Sequence, residues 1–309
     1  MLFDMGMKRT TRLRRLIESP DIFIMPGVQD ALTAKIAEQT GFAAITCGGY
    51  ASTAALLGAP DSSQLGLVEL AEHYARINDA VDIPLFADGD TGFGNVSNVR
   101  RLVRTYERAG VAGLFIEDQV FPKRCGHMPG KAVVPVVDMV AKLQAALDAR
   151  DDPDLVIMAR TDALAVHGID AAIERAQIYR EVGVDLIFVE APRTVVQMQR
   201  ICSEIEAPCM ANNIEGGLTP MLSATDLQTI GYAVVVFPCA INYVIAHAAQ
   251  QLYATLLDSG TSLPLADSML DFDTFNQLVG LSEWRDREQF DLDRARQFLS
   301  RQDNRLDPP

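Results

Sequence analysis

Two short stretches hold residue types that can do chemistry. DGDTGFGN (88–95) sets two carboxylates one residue apart ahead of two glycines, and FPKRCGHMPGK (121–131) sets one thiol, Cys125, among Lys123, Arg124, His127 and Lys131. On a strand, side chains at i and i+2 share a face, so Asp88 and Asp90 can converge. Hard oxygen donors in that number suit Mg²⁺ or Mn²⁺, with waters and substrate oxygens completing the octahedron. Asp61, Glu117 and Asp118 are candidates for further ligation or water contacts. Positive charge around a thiol favours the thiolate and brings proton exchange toward neutral pH. Each signal has a plain alternative: Asp and Gly are ordinary turn residues, and a single histidine such as His127 is more often a surface group. Position in a fold has to decide.

The elements that would position these residues recur along the chain. Apolar runs of strand character occur at 22–26, 43–47, 84–88, 113–117, 155–159, 186–190, 208–212 and 233–237. Such runs suit parallel strands buried on both faces. Between them lie segments of helical period, such as NVSNVRRLVRTYERAG and GIDAAIERAQIYREVG, each closing on glycine. Eight such alternations predict an α/β protein of the (β/α)8 TIM-barrel type. A doubly wound sheet is the competitor, but no GxGxxG follows the first run. The barrel would gather the run ends at one face: Gly48 and Gly49, Asp88 and Asp90, Glu117 and Asp118, Arg160-Thr161-Asp162, Glu190, and Asn212 and Asn213. Active sites of that fold lie on that face. The expected organisation is a barrel over 1–260 and a polar C-terminal helical arm over 261–309, with TSLPLADSM as a loop and Trp284 as a candidate anchor.

Composition excludes several classes. A formal net charge of −14 argues against a nucleic-acid or anionic-membrane partner, since both demand clustered Lys and Arg. Five scattered cysteines without CxxC spacing read as free thiols in a reducing compartment, with Cys202, Cys209 and Cys239 in apolar surroundings as structural ones. The basic N-terminal stretch lacks an apolar signal core, so the expected location is cytoplasmic. The apolar segment YAVVVFPCAINYVIAHAA is interrupted by Pro238, Asn242 and His247, which favours a strand and a buried helix over a membrane span.

Together PKRCGH, DGDTGFGN, IEDQ, MARTDA and NNIEGGLTP resemble, in order and spacing, the isocitrate lyase/phosphoenolpyruvate mutase superfamily over nearly the whole chain. The resemblance implies a Mg²⁺-dependent barrel, usually a homotetramer with C-terminal helices exchanged between subunits. It implies Mg²⁺ on Asp88 and Asp90, with Asp61 and Glu117 in the surrounding hydrogen-bond shell. Gly49 and Tyr50, preceded by Gly48, would offer backbone N–H groups to a substrate carboxylate. Arg160, Glu190 and Asn212, beside Asn213, would contact substrate oxygens. Cys125 would be the proton donor, on a loop with Gly126 and His127 that closes over the substrate. The implied reaction is cleavage of a 2-hydroxy dicarboxylate to a 2-oxo acid.

Departures bear on the substrate. Methylisocitrate lyases carry arginines where this chain aligns Tyr243 and, more loosely, Phe272. Without those cations a third carboxylate would lack charge-assisted partners. A 2-alkylmalate such as 2,3-dimethylmalate is therefore expected ahead of methylisocitrate. Thr46 stands where those lyases have tyrosine, which leaves the base for the 2-hydroxyl proton open. Carbon–phosphorus chemistry on phosphonopyruvate or carboxyphosphonoenolpyruvate, and a ligand-binding barrel without catalysis, are the remaining alternatives.

Overall fold

The computed structural model describes residues 6–128 and 130–306. Eight parallel strands follow in chain order: β1 (Phe23–Pro26), β2 (Ile45–Cys47), β3 (Leu85–Asp88), β4 (Gly113–Glu117), β5 (Val156–Thr161), β6 (Leu186–Val189), β7 (Met210–Asn212) and β8 (Val234–Phe237). β2 through β6 pair consecutively, and β1-β8-β7 form the remaining three strands. Single bridges, Gly27 to Thr46 and Ile187 to Cys209, join the two groups at both seams. Val28 N–H donates to Thr46 O at 2.9 Å and Ile187 N–H to Pro208 O at 3.0 Å. The sheet therefore closes on itself as a (β/α)8 barrel, and every predicted run overlaps one of its strands, seven containing theirs whole and β5 running on to Thr161 beyond the run at 155–159.

Helices return the chain between strands, and their ends follow local chemistry. Asp30 accepts from Thr33 N–H at 2.8 Å at the start of Ala31–Thr40, and Gly183, in the left-handed region at φ 108°, closes Ile169–Val182. The helix Arg9–Ile17 plugs the N-terminal end: Leu13 and Ile17 pack with Phe86, Phe115, Val156, Leu186, Met210 and Val234 inside the barrel. A second apolar layer, including Leu85, Leu114, Ile116, Ile157, Ile187 and Val235, lies between sheet and helices.

Two local expectations are corrected. TSLPLADSM contains a 3₁₀ helix, Leu263–Ser268, with Pro264 in its first turn, where the missing N–H costs nothing. The helix Ala240–Ser259, expected to be buried, has no buried residue; Val244, Tyr253 and Leu257 are exposed in the single chain. One compact unit runs to Ala246 and a second begins at His247. The second unit holds the helices Phe272–Leu278 and Leu281–Leu306. Among the described residues no helix is long and apolar enough to cross a membrane. The first five residues, where part of the N-terminal reading falls, lie outside those described.

Candidate active site

Strand alternation builds the site. Phe86, Phe115, Met158, Phe188 and Met210 point into the barrel as an apolar floor. Two residues further along each strand, period two brings Asp88, Glu117, Arg160, Glu190 and Asn212 onto the same inward face. The cavity above that floor is lined by Asp61, Asp88, Cys125, Arg160, Glu190 and Asn212, among others. The intervening residues face outward: Asp118, read as a possible ligand, accepts instead from Thr161 Oγ1 at 2.7 Å and Tyr179 OH at 3.0 Å. Asn213, expected to contact substrate, likewise turns away, donating to Leu222 O at 2.9 Å, and is not among the residues that line the cavity.

Arg160 is the hub of the buried charge. Its guanidinium lies over the Phe115 and Phe188 rings, 5.7 and 5.2 Å from their centroids. Its Nε is 2.9 Å from Asp162 Oδ2 and 3.2 Å from Glu117 Oε2, and a terminal nitrogen is 3.5 Å from Glu190 Oε2. Burial works against that charge, but Asp162, Glu117 and Glu190 outweigh it and hold the guanidinium well above its usual pKa. Burial also disfavours the charges of Asp162 and Glu190, yet Arg160, with Lys131 and His127 respectively, keeps both below the ordinary carboxylate range. Glu117 goes the other way: burial overrides Arg160 and Lys123 and raises it well above that range.

The 121–128 segment folds over this charge. Lys123 Nζ is 2.7 Å from Asp61 Oδ2 and 3.8 Å from Asp90 Oδ2. Beyond it, Lys131 Nζ donates to Asp162 Oδ1 at 2.7 Å and also to Gly126 O. His127 Nε2 stands 2.8 Å from Glu190 Oε1. Gly126 has no room for a side chain, since a Cβ there would meet Arg160 and Glu190 at 2.5 Å. This overturns the expected thiolate. The lysines are committed to carboxylates, and burial, aided by Glu190 and against a hydrogen bond from the His127 N–H, pushes the Cys125 thiol up. A thiol that keeps its proton is suited to giving one away.

The two aspartates of DGD meet for a different reason from the one the sequence suggests. β3 ends at Asp88, and Asp90, at φ 51°, belongs to a left-handed turn in which its N–H donates to Asp88 Oδ1 at 2.7 Å. Tyr106, fully buried, donates its hydroxyl to Asp88 O at 2.8 Å and fixes the turn from behind. Gly49 N–H is taken by Asp88 Oδ2 at 2.7 Å, so here it serves the carboxylate and not a substrate. Gly48 and Tyr50 line the cavity at the N-terminus of Gly49–Leu57. Tyr243 stands one ring behind, edge-on to Tyr50 with centroids 6.3 Å apart, and Phe272 is 82% exposed in the second unit. Thr46 and Cys239, the latter read as structural, also line the cavity. Among the described residues, no group of three acidic, histidine or cysteine side chains is spaced to hold a metal as it stands. Mg²⁺ needs only one or two carboxylates with waters and substrate. Asp88 and Asp90 offer these, and both Glu117 oxygens are buried without a hydrogen bond, so the donor set fits.

Sequence reasoning noticed Lys123 and Lys131 as charge around a thiol and missed them as partners of Asp61 and Asp162. Asp162 is placed by the sequence among the strand ends on that face but is given no role there. Phe115 and Phe188 were legible only as strand residues.

Comparison with known proteins places the chain in a family. The family model described as phosphoenolpyruvate phosphomutase matches residues 13–257. A 2,3-dimethylmalate lyase of Eubacterium barkeri is 42% identical over 91% of this chain and 98% of its own length. A 2-methylisocitrate lyase of Aeropyrum pernix is 39% identical over 94% of each. The crystal structure of a phosphonopyruvate hydrolase in complex with oxalate and Mg²⁺ matches with a TM-score of 0.82 at 29% identity, covering 92% of this chain and 99% of that one. With the barrel closed and its charged rim in place, the chain belongs to the phosphoenolpyruvate phosphomutase family of the isocitrate lyase/PEP mutase superfamily and is a carbon–carbon lyase of that group.

Proposed function

We propose that the protein cleaves a 2-alkylmalate-type dicarboxylate, such as 2,3-dimethylmalate, to pyruvate and propionate. The observation that carries this reading is one cavity in which Asp88, Cys125, Arg160 and Glu190 stand above the apolar floor beside a wall of Ile214, Val236 and Pro238. Charged groups suit the carboxylates and the 2-oxygen, and the apolar wall suits alkyl substituents. A tricarboxylate would bring a further charge against a wall where Tyr50 and Tyr243 offer no cation.

In this reading Arg160 and Asn212 hold the oxygens of the forming 2-oxo acid, and Glu190 keeps Arg160 oriented. Asp88 and Asp90, with Asp61 and Glu117 around them, would hold Mg²⁺, which when bound would supply Lewis-acid stabilisation of that oxygen charge. The 2-hydroxyl gives up its proton, C2 becomes a carbonyl carbon, and the C2–C3 bond breaks with its electron pair left on the C3 fragment. That pair delocalises into the adjacent carboxylate, and the Cys125 thiol returns a proton to C3. Purified protein with Mg²⁺ is expected to release pyruvate from 2,3-dimethylmalate faster than from methylisocitrate. Faster turnover of methylisocitrate would overturn the substrate, and phosphorus NMR showing turnover of phosphonopyruvate would overturn the bond class.

The same reading carries a cytoplasmic homotetramer, a barrel domain over 1–260 and a C-terminal arm over 261–309 exchanged between subunits. Supporting the exchange, Trp284, Phe290, Phe298 and Leu299 on Leu281–Leu306 are each more than 60% exposed in one chain. Light scattering that gave a monomer would refute it.

A further inference from the structure

We infer that Gly217 and Leu218, in the connection between β7 and the helix Ala224–Ile230, form the catch that seats His127 and with it the Cys125 segment over the site. The Leu218 N–H donates to His127 Nδ1 at 2.9 Å. The other ring nitrogen stands 2.8 Å from Glu190 Oε1 at the end of β6. One imidazole thus bridges the rims of two strands. Lys123 and Lys131 hold the segment elsewhere through ion pairs with Asp61 and Asp162. The middle of the segment is held by main chain from another loop.

Chemistry makes this catch selective. Nδ1 can accept an N–H only while it carries a lone pair, so the bond requires the tautomer protonated at Nε2. That tautomer leaves the proton on Nε2, the nitrogen that stands 2.8 Å from Glu190 Oε1, on the carboxylate that orients Arg160. Leu218 is therefore a positioning residue acting through its backbone, and Gly217 acts through the side chain it lacks. A Cβ at Gly217 would stand 2.7 Å from His127 Nδ1 and 3.0 Å from Cε1, with Ile214 O at 3.1 Å. Gly217 is not in the left-handed region, so alanine meets no backbone penalty there and acts on the ring it would touch. This gives the GG of NNIEGGLTP a purpose that substrate contacts do not supply.

The catch itself stands on geometry, and only its catalytic consequence rests on the proposed lyase reading. Limited trypsin digestion reads it without substrate, because Arg124 is exposed while the Lys123 and Lys131 side chains are buried. Gly217→Ala and His127→Phe are each expected to speed cleavage after Arg124 about tenfold, and the double variant no further, as two changes to one contact should behave. His127→Asn, whose Oδ1 can take the same N–H, is expected to restore protection. Hydrogen exchange at the Leu218 amide is expected to be slow in the wild type and in His127→Asn and fast in His127→Phe, with strand amides unchanged. This measurement does not depend on Gly217→Ala folding. Cleavage at the wild-type rate in Gly217→Ala, multiplying effects in the double variant, or an equally fast Leu218 amide in wild type and His127→Phe would each overturn the catch. A wild type that turns over no dicarboxylate yet passes these tests would refute the lyase reading alone.

Discussion

Lys123 and Asp61 lie 62 positions apart in the chain, and their charged ends meet at 2.7 Å with both side chains nearly sealed from water. Burial opposes the ammonium, yet Asp88, Glu117, Asp61 and Asp90 together hold its pKa well above the usual value. Lys123→Met would leave Asp61 and Asp90 without the ammonium that faces them. Removing one partner of a buried pair costs roughly 3–5 kcal/mol. Urea unfolding in EDTA should show that loss, and millimolar Mg²⁺ should recover more of it in the variant than in the wild type. Equal stability of the two proteins in EDTA would show that the lysine is not the counter-charge.

The raised pKa of Cys125 sets a pH profile. A proton donor is competent below its pKa, so a thiol pushed above its ordinary value stays competent across the neutral range. Turnover should be flat through neutral pH and fall only above about 8.5, where an unperturbed thiol would already be ionising. Cys125→Ala should lower kcat by about 10² to 10⁴, the usual worth of a positioned proton donor, with circular dichroism unchanged. A decline beginning below neutrality, or full activity in the variant, would remove Cys125 from that role.

Arg160→Lys keeps the charge and loses the plane. Lysine cannot reach Asp162 and Glu190 together while lying over Phe115 and Phe188. A drop in kcat/KM of about a hundredfold is expected. A variant within about threefold of wild type in steady-state kinetics would mean that charge alone suffices.

Glu117 should make the metal-free protein less stable as pH rises. Its folded pKa is raised, so between the unfolded value near 4.3 and the folded one the native state binds more protons than the unfolded chain. Stability from this group is full below that window and is lost on passing upward through it. Glu117→Gln, which does not titrate, should be more stable than wild type in EDTA at pH 8, by about 1 kcal/mol or more, and the difference should shrink toward pH 4. Asp162 and Glu190 act oppositely: their lowered values give stability that is present at neutral pH and lost only in strong acid. Parallel stability curves for wild type and Glu117→Gln would show that Glu117 is ionised.

What the sequence made legible follows from the range of the forces involved. Strand runs, helix caps and the inward Asp88, Glu117, Arg160, Glu190 and Asn212 are consequences of local period, which neighbouring residues encode. The partners of Lys123 and Lys131 are set by tertiary closeness across 62 and 31 positions, which no local pattern carries. Hence the cations around Cys125 read as activators of a thiolate, when each lysine was already bound elsewhere. Asp118 and Asn213 were misread through adjacency: a neighbour of an inward residue faces outward. The backbone N–H of Leu218 had no side-chain signature at all.

The in–out parity of the strands has a bearing on how such a chain can change. Lumen-facing rungs such as Asn212 border the cavity, whereas the odd-numbered Ala211 and Val235 beside them bear on the helical shell. Substitutions on one parity can therefore redraw selectivity while the other preserves the scaffold, so a new preference can be gained by exchanging a few lumenal side chains at little risk to folding.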